Sequence, residues 1–100
     1  MPEFRVHGER RYAVQHHYAV PDSAWHVELS EAVPAPAEWA EIPGSVTHLA
    51  GDAFLTAVVP DEDPEREPTV HLHGAGETVV PYEIMRWFMD QVSEEVRRRG

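Results

Sequence analysis

Cysteine, lysine and asparagine are all absent from this chain of 100 residues. Without cysteine there is no disulfide framework, no thiolate metal site and no cysteine nucleophile. Because lysine is missing, arginine supplies all eight basic side chains. No apolar run approaches the roughly 20 residues that cross a bilayer, and the N-terminus lacks a signal-peptide pattern. We therefore expect a cytoplasmic protein that makes no contact with membranes.

Positive charge is scarce in the middle of the chain. Residues 12–85 contain thirteen acidic residues and one arginine, Arg66, whereas residues 1–11 and 86–100 each carry a net charge of +1. The formal net charge is −10. Nucleic acids and anionic lipids bind basic surfaces, so this composition argues against both as ligands. A basic protein is the better-matched partner, and a nucleic-acid mimic that inhibits a DNA-binding enzyme is a further form of this hypothesis.

Alternation of apolar and polar side chains predicts most of the chain as β-strand. Strands are expected at about residues 10–20, 24–31, 45–49, 53–59 and 69–73, with a short earlier strand around Phe4 and Val6. The Pro/Ala-rich residues 33–44 form a connector. From Pro81 the period changes to that of a helix, at about residues 81–98. We predict one α+β domain over residues 1–100: an antiparallel meander sheet of four to six strands with one C-terminal α-helix packed on one face.

A single helix covers one face of such a sheet and leaves the other face uncovered. We expect the uncovered face to stay in solvent, to curl into a partial barrel, or to meet another chain, including a second copy in a homodimer. His16 lies within the apolar row that faces the core, where a histidine is expected to be hydrogen-bonded. An even turn after the first strand predicts three cross-strand pairs: Val20 with Trp25, Tyr18 with Val27, and His17 with Glu28.

Two histidines one residue apart form the most specific pattern for a metal site. On a strand, His71 and His73 point the same way about 6.5–7 Å apart, and two such imidazoles can bind one transition metal such as zinc. With Glu77, the spacing resembles the first metal motif of the cupins, a double-sheet barrel family with two histidines and a glutamate as ligands. The resemblance covers seven residues, and Glu65 and Ile84 stand where the family motif has glycines. It implies a metal-binding protein or a small metal-dependent enzyme.

The alternation of side chains between the two faces of a strand gives a second interpretation of these histidines. The apolar residues beside them point to the core, so His71 and His73 lie on the face away from the helix. If both hairpins share one sheet, His17 and His26 lie on that face too. The histidines are then polar residues of a solvated strand face, or a transition metal binds on that face. A site at His71 and His73 is expected to take Glu77 or His48 as its further ligand.

Trp87 is the aromatic residue that the helical pattern places outside the apolar arc. It projects on the polar side of the helix with Glu83 and Asp90, and Trp39 lies in the connector. A tryptophan at such a position packs on the N-terminal strand or the connector, or it contacts a partner. These four residues are the predicted partner surface of a small acidic protein-interaction module: a regulator, inhibitor or assembly component with no catalytic activity of its own.

Overall fold

A computed structural model describes residues 2–74 and 78–99. Five antiparallel strands form one sheet in sequence order: β1 (Glu3–His7), β2 (Arg10–Ala19), β3 (Ala24–Pro34), β4 (His48–Pro60) and β5 (Thr69–Leu72). Helix α1 (Tyr82–Arg99) follows and packs on one face. The predicted α+β meander is confirmed, and it differs from the double-sheet barrel of the cupins. Within the described residues, no helix is long and apolar enough to cross a membrane.

The core lies between α1 and the sheet. Alternate residues of the three central strands point towards the helix, and Ile84, Phe88 and Val92 meet them at the spacing of one helical face. Phe88 and Ile84 are fully buried, and a buried side chain of this size contributes about 1.5–3 kcal/mol. The strand residues of this core are Tyr12, Val14, Val27, Leu29, Leu55, Ala57 and Val59. Alternation in the sequence therefore assigns the inner face correctly.

Trp87 belongs to this core, which corrects its predicted place on the polar side of the helix. Its side chain is 6% exposed, and the guanidinium carbon of Arg5 lies 5.0 Å from the ring centroid. Arg5 pairs with Tyr12 in the β1–β2 ladder, so β1 extends the sheet far enough to cover the ring. The tryptophan thus packs on the N-terminal strand, a long-range contact that the periodicity of the helix alone does not reveal.

Strand β4 is continuous, which corrects the prediction of two strands at 45–49 and 53–59. Its pairing with β3 runs through two register shifts, on either side of Ser30. A Cβ atom at Gly51 would lie 2.6 Å from the backbone oxygen of Glu31, so glycine permits the close approach of the two strands there. Residues 50–52, which separate the two predicted strands, therefore form an irregularity inside one long strand.

The β2–β3 hairpin has the predicted faces but a different register. Tyr18 pairs with Trp25, and His17 pairs with His26. The change arises because Val20 enters a short 3₁₀ turn, Val20–Asp22, that Ser23 ends in the left-handed conformation at φ 49°. The loop still has an even number of residues, so no side chain changes face. The observed register corrects the predicted pairs Val20 with Trp25, Tyr18 with Val27, and His17 with Glu28.

The sheet face away from α1 is covered at one end. Ala13 and Ser30 point away from the helix, yet their exposed fractions are 0% and 2%. The first part of β4 curls over them. This is shown by Phe4 of β1 and His48 of β4, whose ring centroids are 6.5 Å apart although two strands lie between β1 and β4 in the sheet. Arg11 Nη1 donates a hydrogen bond of 3.0 Å to His48 Nδ1 at the same end. The half of this face near the β2–β3 turn remains uncovered.

Candidate binding site

A groove of about 740 Å³ occupies the uncovered half of this sheet face. Strands β3, β4 and β5 form its floor, and the acidic loop, residues 61–68, contributes one wall. We call it the open-face groove. Three histidines, three carboxylates, two threonines and one arginine supply its polar lining: His26, His71, His73, Asp22, Glu28, Glu67, Thr56, Thr69 and Arg66.

The strand register explains why these side chains lie together. Neighbouring strands are about 4.8 Å apart, so paired residues place their side chains side by side. Two rows of paired residues cross the face. The first row is Gln15, Glu28, Thr56 and His71, and the second is His17, His26, Val58 and Thr69. The same parity that sends apolar side chains to the helix sends these residues to the opposite face.

Two histidines on this face are paired with carboxylates. His26 Nε2 lies 2.9 Å from Asp22 Oδ2, and His17 Nδ1 lies 3.2 Å from Glu28 Oε1. The two imidazole rings are 5.1 Å apart between centroids. Glu28 thus contacts His17 diagonally across the strands, since it lies two residues along β3 from His26, the residue that pairs with His17. We call these four residues the His17–His26 cluster. The side chains of Asp22 and Glu28 are 52% and 29% exposed, so a molecule entering the groove can reach both carboxylates.

The predicted metal ligands His71 and His73 have threonine partners. His71 Nε2 lies 2.9 Å from Thr69 Oγ1, and His73 Nε2 lies 2.8 Å from Thr56 Oγ1. The third predicted ligand, Glu77, lies outside the described residues. In residues 2–74 and 78–99, no three histidine, aspartate or glutamate side chains are arranged to hold a metal ion. A metal site at this pair stays a prediction that depends on Glu77.

Three residues of the predicted partner surface lie outside the groove lining. Trp39 is 36% exposed in the 3₁₀ helix Ala37–Glu41, where it lines a shallow cavity formed by the connector. Glu83 is exposed in the first turn of α1, and Asp90 is exposed beside Gln91 further along the helix. The predicted partner surface, which also included Trp87, is therefore not the surface that borders the groove.

Glu95 is a buried carboxylate that the sequence interpretation missed. Its side chain is 4% exposed, and Oε1 lies 3.3 Å from His16 Nδ1 and 3.1 Å from Arg98 Nη1. These two partners compensate a carboxylate that would be costly to bury alone. His16 is thus hydrogen-bonded, as predicted. The sequence does indicate that Glu95 faces the core, because it lies seven residues after Phe88 and three after Val92 on the apolar arc of the helix.

Two contacts attach the acidic loop to the first hairpin. The hydroxyl group of Tyr18 donates a 3.1 Å hydrogen bond to Asp61, and Arg66 donates a 2.8 Å hydrogen bond to the carbonyl of Asp22. Partial burial, the bond to Asp61 and the negative charge of Glu62 raise the pKa of Tyr18. The loop is therefore held at the side of the groove, and its carboxylates contribute to the negative potential there.

Comparisons with protein-family models, with curated proteins and with solved structures found no match to this chain. The chemistry of the groove is therefore the basis for inferring function. Its carboxylates, threonine hydroxyls and imidazoles offer hydrogen-bond acceptors together with negative charge. A ligand that carries several hydrogen-bond donors and positive charge is complementary to this lining.

Proposed function

We propose that the protein is a small acidic interaction module whose open-face groove binds a basic segment of a partner protein. The observation that supports this most strongly is the composition of the groove wall. Asp22, Glu28 and Glu67 line the groove, and the acidic loop at 61–68 adds further carboxylates beside it. The one lining cation, Arg66, is bonded to a backbone carbonyl of the turn. An arginine or lysine side chain that enters the groove would therefore meet three carboxylates against one arginine.

The dimensions of the groove suit an extended segment of polypeptide. A volume of about 740 Å³ lies within the range of about 300–1,000 Å³ that is typical of ligand sites. The floor is formed by neighbouring strands, and Thr56 lies between Glu28 and His71 in one row of paired residues. Guanidinium groups present five N–H donors, which carboxylates and hydroxyl groups can accept together.

A basic partner matches this face better than a second copy of the chain does. Each copy carries a formal net charge of −10, so two copies repel one another at low ionic strength. A basic partner is attracted instead of repelled, and this attraction accelerates association and stabilises the complex. A DNA-binding enzyme belongs to the proposed class of partner, because its nucleic-acid site supplies a basic surface.

The proposal is tested by neutralising equal numbers of carboxylates at two places. The groove variant is Asp22→Asn/Glu28→Gln/Glu67→Gln, and the matched helix variant is Glu83→Gln/Asp90→Asn/Glu94→Gln. Each variant loses three negative charges, so both have the same formal net charge. The affinity for a fluorescein-labelled arginine-rich peptide is measured by fluorescence anisotropy at low ionic strength, with far-UV circular dichroism to check folding.

We expect the groove variant to bind the peptide about 5–150-fold more weakly than the wild type. This range assumes about 0.3–1 kcal/mol for each partly exposed charge pair. The helix variant should lose no more than about threefold through the change in overall charge. Equal losses in the two variants, or no binding by the wild type, would contradict the proposal. Addition of EDTA separates it from the metal-site hypothesis, since a metal-bridged complex is lost when the metal is chelated.

A further inference from the structure

We infer that His17 and His26 are internal counter-ions that compete with the basic partner for Asp22 and Glu28, so that binding releases protons. This inference rests on the proposed function, because it concerns the control of the same groove. It predicts a groove that binds basic segments at neutral pH and releases them at mildly acidic pH.

The geometry places each imidazole on the carboxylate that the partner needs. His26 Nε2 lies 2.9 Å from Asp22 Oδ2, and His17 Nδ1 lies 3.2 Å from Glu28 Oε1. A protonated imidazole gives its carboxylate a full positive charge as partner, whereas a neutral imidazole leaves the negative charge uncompensated. A guanidinium group that enters the groove would compete with the imidazole for the charge of the same carboxylate. Protonation of the two histidines therefore weakens binding of the partner, and binding of the partner disfavours protonation.

The charge of the cluster changes from neutral to −2 as both histidines lose their protons. Two protonated rings 5.1 Å apart also repel one another, while the two carboxylates attract both rings. The other charged and titratable groups that line this groove are Arg66 and Glu67 from the acidic loop, and His71 and His73 from β5 and the residue after it. Arg66 and Glu67 have opposite charge, and the two histidines of the β5 side have threonine partners. The cluster therefore contains the histidines that compete directly for carboxylates.

The expected sign follows from the cationic form of histidine. Histidine is the residue type whose charge ordinarily changes between about pH 5 and pH 8, so acidification favours cationic imidazoles, which compete with a basic partner for the two carboxylates. The loss is limited to what Asp22 and Glu28 contribute to binding, so the affinity is expected to fall by about 3–30-fold, the share of these two carboxylates in the effect expected for the groove variant.

The experiment repeats the anisotropy titration with the labelled arginine-rich peptide at pH 7.5 and pH 5.5, at constant ionic strength. The cluster variant is His17→Gln/His26→Gln. The control is His7→Gln/His48→Gln, which also removes two histidines but leaves the groove lining intact. Circular dichroism at both pH values checks that each protein remains folded. Glutamine at position 48 keeps a hydrogen-bond acceptor for Arg11.

We expect the wild type and the control to lose about 3–30-fold in affinity at pH 5.5, and the cluster variant to lose at least about threefold less than either. Calorimetry in two buffers of different ionisation enthalpy should detect release of protons when the wild type binds the peptide, and a smaller release when the cluster variant binds it. Strong peptide binding with the same pH dependence in all three proteins would overturn the inference alone. Absence of binding at pH 7.5 would overturn the proposed function as well.

Discussion

Replacement of Trp87 by alanine tests the packing of α1 against the sheet. The indole is 6% exposed, and a tryptophan buries about 150–250 Å² of surface. At about 25 cal/mol per Å², this burial corresponds to about 4–6 kcal/mol, and measured tryptophan-to-alanine substitutions in cores fall at about 3–5 kcal/mol. Domains of this size are stable by only about 5–15 kcal/mol. We therefore expect Trp87→Ala to remove at least about a fifth of the free energy of unfolding.

The matched control for this experiment is Trp39→Ala, which removes the same side chain from a position that is 36% exposed. Urea unfolding followed by far-UV circular dichroism gives the free energy of unfolding of both variants and of the wild type. Trp39→Ala should reduce that free energy less, by at most about two-thirds of the loss in Trp87→Ala, because about a third of the Trp39 surface stays in solvent. If the two substitutions reduced stability equally, Trp87 would not be a core residue, and the placement of β1 over its ring would be incorrect.

Two further predictions concern buried and partly buried charges. Glu95→Gln should lower the free energy of unfolding by about 1–3 kcal/mol, because the carboxylate, which is 4% exposed, loses its charge-assisted bonds. The control is Glu94→Gln on the exposed side of the helix, which should leave the free energy of unfolding nearly unchanged. Thermal or urea unfolding measures both variants. The raised pKa of Tyr18 means that its neutral phenol stabilises the fold below about pH 10, and that this contribution is lost as the pH rises through the higher folded-state pKa. Asp61→Asn should lower that pKa, as measured by the NMR shifts of the Tyr18 ring against pH; an unchanged titration would show that Asp61 does not act on the phenol.

The parts of the fold that follow from short-range patterns could be predicted from sequence. Alternation over two residues identifies which side chains of β2 and β3 face the helix, and the even loop keeps those faces correct although the register differs by two residues. The register itself depends on whether Val20 pairs with a residue of β3 or belongs to the turn, and an apolar residue is compatible with either position. Continuity of β4 depends on a close approach at Gly51, and glycine in a sequence equally indicates a turn.

The candidate site shows the same limit. Parity predicts that His17, His26 and His71 share a face, because that property follows from strand periodicity within one sheet. Their partners do not follow from periodicity. Asp22 reaches His26 from the turn, and Glu67 reaches the groove from the acidic loop, so both depend on the path of irregular segments. Long-range contacts of this kind become visible only when the strands and loops are assembled.

The proposed function is tested most directly by locating the bound peptide. A ¹⁵N-labelled sample titrated with the arginine-rich peptide at pH 7.5 reports a chemical-shift change at each backbone amide. We predict that the largest changes occur in the groove, at His26, Glu28, Thr56, Thr69 and His71, with small changes at Glu83 and Asp90 on α1. Changes concentrated on α1, or spread evenly over the acidic surface, would contradict the assignment of the open-face groove as the binding site.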